Sequence, residues 1–429
     1  MCSKKIKIFS AIILLSIGIF AQDTLTIVQY NLLNYGFPVY GCDNSNNNPD
    51  DKDSYLRTIF MDLNPDIFTV NELRTESYDS SPADRILDNV LNIHFNSSYR
   101  RANITNLSDS HIINMLYYNS NKFTLYAQDV IPAYRDINIY HLYYNSINLE
   151  TTNDTAFIHC IVTHLKSSQG ADNEAIRAQM TNSIMEYLET TNLGGNVLIL
   201  GDFNVYSDQE QAFQNLINPE NEEIKFYDPI EQIGSWHENA NYSNVHTQST
   251  HESYNDCASS GGMDDRFDFI LMDKFLKDNL SHFAYVAESY VALGNDGTCY
   301  NESLTECDNS NLSNDLVNAL YNMSDHLPII LKLTTDLSPS PVFSKNTHPG
   351  LIIEFQNPVK ENLNLKLNFG LQGFYSIQLL SMYGDVVLNI SANKTNNSIP
   401  VTHIKEGLYI LRIAGPAGRT ESKKLVITK

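Results

Sequence analysis

The sequence predicts an α/β domain, its central sheets covered by helices, followed by a small all-β sandwich. Three observations carry this. Short β-type apolar runs alternate with helical patterns over residues 22–335. Several of those runs end in a polar residue able to do chemistry, which predicts a cleft along one rim of the sheets. Beyond a Pro- and Ser-bearing stretch, the tail shows alternating runs and no helical pattern. The length of 429 residues suits one large and one small domain, and 42% hydrophobic residues predict a packed core. The 25 Tyr and 19 Phe suit strands.

Residues 1–21 read as a secretory signal. Lys4, Lys5 and Lys7 make a basic start, Ile8–Phe20 is apolar but short for a membrane span, and Ala21 offers a small cleavage position. The mature chain is therefore expected to be soluble, without stable membrane insertion. In the domain at 22–335, Leu25–Tyr30, Ile67–Val70, Ile112–Tyr118, Phe157–Val162, Val197–Leu200 and Phe267–Met272 have the continuous apolar character of buried strands. Asp53–Asp62 and Ala171–Thr190 read as helices, the second with Ile176, Met180, Ile184 and Leu188 at helical spacing. A linker follows at 336–348, where Leu-Ser-Pro-Ser-Pro breaks the pattern. The tail at 349–429 alternates near Leu363–Phe369, Tyr375–Leu380, Val386–Ile390, Gly407–Ala414 and Lys423–Ile427.

Export permits disulfides. Signal removal takes Cys2 and leaves Cys42, Cys160, Cys257, Cys299 and Cys307, an odd number. Cys160 sits in an apolar run and is expected to be free and buried. Cys299 and Cys307 are close enough to staple a polar loop, which leaves Cys42 with Cys257, although spacing alone does not determine connectivity. The segments Gly41–Asp53 and Gly294–Asn314 are crowded with Asn, Asp and Ser; solvated loops are expected there, a structural Ca²⁺ site being the alternative. The formal charge is −22; setting aside the +3 of the signal and the +4 of 346–429 leaves −29 on 23–345. Such a domain does not hold a polyanion by broad attraction, so a nucleic-acid substrate would be bound locally and with divalent cations.

The polar residues at the strand ends form a constellation. A hard cation such as Mg²⁺ takes oxygen ligands and keeps waters for a phosphate, and Glu72, Asn31 and Asp325 suit that task. Gly201–Asp202–Phe203–Asn204 closes a buried run. Two residues apart on a strand, Asp202 and Asn204 would share one face, the first orienting a water and the second donating to a phosphoryl oxygen. Asp325 and His326 are neighbours and should point oppositely, Asp325 to metal and His326 to phosphate or water, with Asp268 as the carboxylate that orients His326. His164 would stabilise the phosphorane or protonate the leaving oxygen.

Tyr30–Asn34, Asn71–Arg74, Thr163–Ser167, Gly201–Asn204, Arg266–Phe269 and Ser324–Pro328 occur in the order of the endonuclease/exonuclease/phosphatase superfamily, which the domain resembles over 22–335. The group includes DNase I and the apurinic-site endonucleases. The resemblance implies a DNase I-like four-layer α/β/β/α sandwich and Mg²⁺- (or Mn²⁺-) dependent hydrolysis of a P–O bond, with nucleic acid, DNA first, as substrate. It places Asn31, Glu72 and Asp325 around the metal and Asp202 and Asn204 on the attacking water and phosphate. His164 and His326 bracket the phosphate, with Asp268 behind His326. Arg74 and Arg135 match positions that hold backbone phosphates. One departure stands out: where DNase I pairs its first histidine with a Glu, this chain offers only Asn114. Asn357–Pro358–Val359, Tyr383–Gly384–Asp385, Glu406–Tyr409 and Lys423–Leu425 resemble the C-terminal sorting domain of the type IX secretion pathway of Bacteroidetes. That implies the type IX machinery as partner and a secreted or surface-attached product, expected to be a monomer. Two other functions remain open: the same chemistry on a phospholipid head group, sugar phosphate or nucleotide, and a display protein with an inactive enzyme fold.

Overall fold

The computed structural model describes residues 23–36, 38–75, 79–93, 98–147, 149, 155–339, 352–368, 375–381, 386–392, 396–414 and 420–428. The expected signal, the linker beyond Pro339 and Tyr383–Gly384–Asp385 lie outside them.

The large domain contains β1 (Asp23–Tyr35), β2 (Ile67–Arg74), β3 (Tyr99–Arg101), β4 (Ile112–Asn119), β5 (Phe123–Ile131), β6 (Ile137–Tyr144) and β7 (Phe157–His164). It continues with β8 (Val197–Asp202), β9 (Phe226–Tyr227), β10 (Asp268–Asp273), β11 (Phe283–Tyr285), β12 (Val291–Ala292) and β13 (Ile329–Thr335). One sheet runs β11-β13-β1-β2-β4-β3, with β12 on β13; the other runs β5-β6-β7-β8-β10-β9. Each is antiparallel except at its centre, where β1 lies parallel to β2 and β7 parallel to β8. The two sheets face each other. Cys160, Val162, Leu198, Leu200, Ile270 and Met272 enter the core between them, and the alternate residues Ile161, Ile199, Phe269 and Leu271 meet helices on the other side. Burial on both faces is why these strands read as unbroken apolar runs.

Helices Pro49–Leu63 and Asn314–Met323 pack through Leu56, Ile59, Phe60, Leu316, Leu320 and Met323 on the first sheet. Helices Ala171–Thr191 and Gln211–Ile217 cover the second through Met180, Ile184, Leu188, Phe213 and Leu216. The result is four layers, α/β/β/α. The first helix begins before the expected Asp53, because Asn48 accepts from the Asp50 N–H and Pro49 occupies the first turn. The polar segment from Gly41 is thus loop only as far as Asn48. The hairpin β5–β6 lies outside the expected strands: the mixed Asn, His and Tyr content of β6 hides a strand that is buried on both faces, Ile137 and Ile139 toward the helices and Tyr140, Leu142 and Tyr144 toward the facing sheet. Disulfides join Cys42 to Cys257 and Cys299 to Cys307, and Cys160 is free and buried.

The tail comprises β14 (Ile352–Glu354), β15 (Asn362–Asn368), β16 (Tyr375–Ser381), β17 (Val386–Ala392), β18 (Asn396–Pro400), β19 (Gly407–Ala414) and β20 (Thr420–Ile427). Its sheets, β14-β15-β18 and β17-β16-β19-β20, close on Leu363, Leu365, Ile377, Leu379, Leu411, Ile413 and Leu425. Among the described residues no helix is long and apolar enough to cross a membrane.

Candidate active site

The carboxyl ends of the two parallel pairs meet at one rim. His164 is the register partner of Asp202, and Asp202 of Asp268, so β7, β8 and β10 set three functional side chains in a row on the face turned to the other sheet. Across the gap Asn31 pairs with Asn71. β7 and β8 approach so closely that a Cβ on Gly201 (φ +149) would fall 1.7 Å from the Thr163 carbonyl oxygen, which accounts for the glycine before Asp202.

The first sheet delivers its residues through bulges. Its register slips between Asn31 and Tyr35 and between Val70 and Leu73. Glu72 sits at φ 57, with Leu33 and Asn34 at 46 and 49, conformations L-residues adopt rarely and mostly where structure over-determines them. Lys52, 1% exposed, supplies that determination. Its ammonium donates to the carbonyl oxygens of Leu32 (2.7 Å) and Leu33 (2.8 Å) and to Asn47 Oδ1 (2.6 Å). Burial lowers its pKa to about 7 against the pull of Asp325 and Glu72. Asn34 N–H then donates to Glu72 Oε2 at 3.1 Å.

Asn31 Nδ2 bridges two carboxylates, Glu72 Oε1 at 3.2 Å and Asp202 Oδ2 at 3.0 Å. His164 Nε2 lies 3.5 Å from Asp202 Oδ2 and 3.8 Å from Glu72 Oε1. His326 gives Nδ1–H to Asp268 Oδ2 at 2.7 Å, and its Nε2 stands 3.7 Å from Asp202 Oδ2. Burial disfavours charge on His326, but Asp268, then Asp202, dominate and raise its pKa well above the usual imidazole value. Burial, then Arg135, His326 and Lys166, push His164 well below it, so the two imidazoles are shifted in opposite directions. Burial raises Asp202 to about 7, with His326 opposing and Asp268 and Glu72 adding. Burial, then Asp325, raises Glu72.

The donor set fits a hard divalent cation. Glu72, Asp202 and Asp325 are crowded carboxylates whose mutual repulsion a cation relieves, and the buried Asp325 Oδ1 has no hydrogen-bond partner among the described residues. One ligand atom each of Glu72, His164 and Asp202 falls within 4.8 Å of the others, a grouping that shares only Glu72 with the expected set. A neutral imidazole suits softer metals, whereas Mg²⁺ or Mn²⁺ favours the oxygens of Glu72 and Asp325.

Several expectations need correction. Asn204 does not share a strand face with Asp202: the strand ends at Asp202 and Asn204 turns to φ 51. Its N–H caps Asp202 Oδ1 (3.0 Å) and its amide donates to the Leu165 carbonyl (3.3 Å). Asp325 and His326 do not diverge, because the chain bends there; Gln248 Nε2 reaches both, at 3.3 and 2.7 Å. Asn114 does not orient His164. It belongs to a buried amide chain, accepting from Asn71 and donating to Asn138, and Asn71 Oδ1 in turn accepts from the Asp202 N–H. Arg74 is buried and donates to the His111 carbonyl at 2.7 Å, whereas Arg135 donates to the Leu165 carbonyl at 2.7 Å, just past His164. Sequence reading missed Gln248, Thr247 (2.8 Å from Asp268 Oδ2) and Lys52, which belong to no strand end. It also gave no role to Lys166, two residues after His164.

Residues 355–428 match the family model of a secretion system C-terminal sorting domain. Among solved structures, the chain is similar to an endonuclease/exonuclease/phosphatase family protein from Bacteroides thetaiotaomicron (13% identity, TM-score 0.44, covering 76% of this chain and 99% of that one). It is also similar to D. rerio TDP2 complexed with single strand DNA product (11%, 0.45, 73% and 99%). A third is the human Nocturnin catalytic domain with bound sulfate anion (13%, 0.41, 74% and 98%). No curated protein matches the chain.

Proposed function

We propose that this chain is an exported, divalent-metal-dependent phosphoester hydrolase whose substrate is a nucleic acid, DNA first. The observation that supports it best is the meeting of Asp202, His164 and the Asp268–His326 pair with Glu72 and Asp325 at one rim. Bound between Glu72 and Asp325, with Asn31 beside them, Mg²⁺ or Mn²⁺ would polarise the phosphoryl group. Asp202, fixed at Oδ1 by the Asn204 N–H and at Oδ2 by Asn31, accepts the proton of the attacking water. His326, whose pKa Asp268 and Asp202 raise, would donate Nε2–H to a phosphoryl oxygen in place of its 2.7 Å contact with Gln248 Nε2, while neutral His164 donates through its own Nε2 on the same Asp202 carboxylate. Arg135 and Lys166 lie beside Tyr134, 5.2 and 5.5 Å from its ring centroid, and give an acidic domain a local place for a neighbouring phosphate. The sorting tail supports passage out of the cell, and release or surface attachment belongs to the same proposal.

The charge of −29 on residues 23–345 favours a second reading, a small phosphoester such as a phospholipid head group, sugar phosphate or nucleotide. Purified protein should be offered plasmid, single-stranded DNA, RNA and these esters, with Mg²⁺, with Mn²⁺ and with chelator. Cleavage of nucleic acid that requires metal and is lost in Asp202→Ala supports the proposal. Metal-dependent turnover of the small esters alone would replace it with the second reading.

A further inference from the structure

We propose that the Cys42–Cys257 disulfide is a positioning element for Glu72 and Asp325, so that cation binding, and with it hydrolysis, depends on oxidation of this cysteine pair. The inference rests on the metal-dependent reading above. The two cysteines are 215 residues apart, one in the segment after β1 and the other after Thr250. Each carboxylate takes a main-chain N–H from one side of the crosslink: Asn34 donates to Glu72 Oε2 at 3.1 Å, and Ser259 to Asp325 Oδ2 at 2.8 Å. Asn34 is coupled to the crosslink directly, its Nδ2 standing 3.5 Å from Cys42 Sγ. Ser259 is coupled through the chain. Two residues earlier, Cys257 N–H and then Ala258 N–H donate to Asn255 Oδ1 (3.0 and 2.7 Å), shaping the turn that aims the Ser259 N–H.

The crosslink is the main fastening between these segments. No described residue of 38–47 or 252–261 enters either of the large apolar cores. Besides the sulfur–sulfur bond, the segments share the cluster of Leu33, Cys42 and Ala258 and a hydrogen bond from Asn46 Nδ2 to the Asn255 carbonyl (3.1 Å). Their backbones meet so closely that a Cβ on Gly41 would fall 2.0 Å from the Asp256 carbonyl oxygen, an approach that needs a firm tie. Reduction breaks the S–S bond: an external dithiol supplies two electrons and two protons, leaving two thiols here and its own disulfide. The segments then separate, the two N–H donors drift, and the carboxylates lose their shared geometry. Because disulfides persist outside the reducing cytoplasm, the device links cation binding to export.

The test uses the full chain and Mn²⁺ alone as probe, titrated by calorimetry. The oxidised protein is compared with dithiothreitol-reduced protein and with the variants Cys42→Ser/Cys257→Ser, Cys299→Ser/Cys307→Ser and Ser259→Pro. The last removes one N–H donor and leaves the crosslink in place. Disturbing residues that orient metal ligands weakens affinity about 10- to 100-fold, and that loss is expected for reduced protein, for Cys42→Ser/Cys257→Ser and for Ser259→Pro. The Cys299→Ser/Cys307→Ser variant should bind as the oxidised parent does. The Mn²⁺ concentration for half-maximal cleavage should rise in parallel while the rate at saturating Mn²⁺ persists, a split that general loosening of the fold does not produce. Folded Cys42→Ser/Cys257→Ser protein, or Ser259→Pro if that pair fails to fold, binding Mn²⁺ as tightly as the parent overturns the inference. Weakened binding in a protein that hydrolyses no phosphoester would sustain it and remove the proposed function instead.

Discussion

Replacing Asp268 with Asn isolates one electrostatic relation at the centre of the proposed chemistry. Asp268 Oδ2 accepts from His326 Nδ1 at 2.7 Å and from Thr247 Oγ1 at 2.8 Å, with both residues of the pair buried. Asn preserves volume and an acceptor at that point but removes the charge. Opposite charges about 4 Å apart at an effective dielectric near 20 interact by about 4 kcal/mol. At about 1.4 kcal/mol per unit, that equals a change of about three units in the pKa of the imidazole. A carboxylate favours the proton-bound ring, so its loss moves His326 downward. Asp202, 3.7 Å from Nε2, keeps its own contribution, so the ring falls by the Asp268 share alone, about three units. The pH dependence of kcat/KM on DNA and an NMR titration of the His326 ring both report it. If protonated His326 is required, the alkaline limb of the rate profile moves down by that amount, and activity above it drops about tenfold per pH unit. An alkaline limb at the same pH in Asp268→Asn, in protein that remains folded, would refute the assignment of His326 as a proton-bearing group set by Asp268.

Other expectations follow from the same geometry. Burial places the Asp202 pKa at about 7, so its carboxylate form appears as pH rises through that value and activity should rise with it. Asp202→Asn should abolish that limb and lower kcat by roughly 10² to 10⁴, read from single-turnover rates. Lys52→Met leaves Leu32 O, Leu33 O and Asn47 Oδ1 without their donor; a loss of about 2–4 kcal/mol in urea unfolding is expected, and no loss would show that the bulge holds itself. Arg135→Ala should raise KM for DNA about tenfold and reduce the salt dependence of binding by about one phosphate contact; an unchanged salt slope would place Arg135 in support of the Leu165 backbone alone.

What could be read directly was whatever leaves a local trace. Strands buried on both faces show as apolar runs, and the polar residue that stops each run stands at the rim, which is why His164, Asp202 and Glu72 were visible before any fold was. The disulfides could be paired only provisionally, because spacing constrains a link of 8 residues but says nothing about one of 215. Strand alternation puts Asn204 on the wrong face because it assumes extended backbone, and the chain turns left-handed two residues after the strand ends at Asp202. Gln248, Lys52 and the Asn71–Asn114–Asn138 chain carry no local signal at all. Each owes its place to partners 20 to 78 residues away: Lys52 to the bulged end of β1, Gln248 to His326, and Asn71 to Asn114 on the neighbouring strand β4. The amino-acid sequence by itself determined the layers and the kinds of groups at their rim, since periodicity and residue chemistry are local properties. Only the tertiary structure decided which carboxylate faces which imidazole and which of them are charged, because burial and Coulomb interaction depend on distances that the chain closes only when it folds.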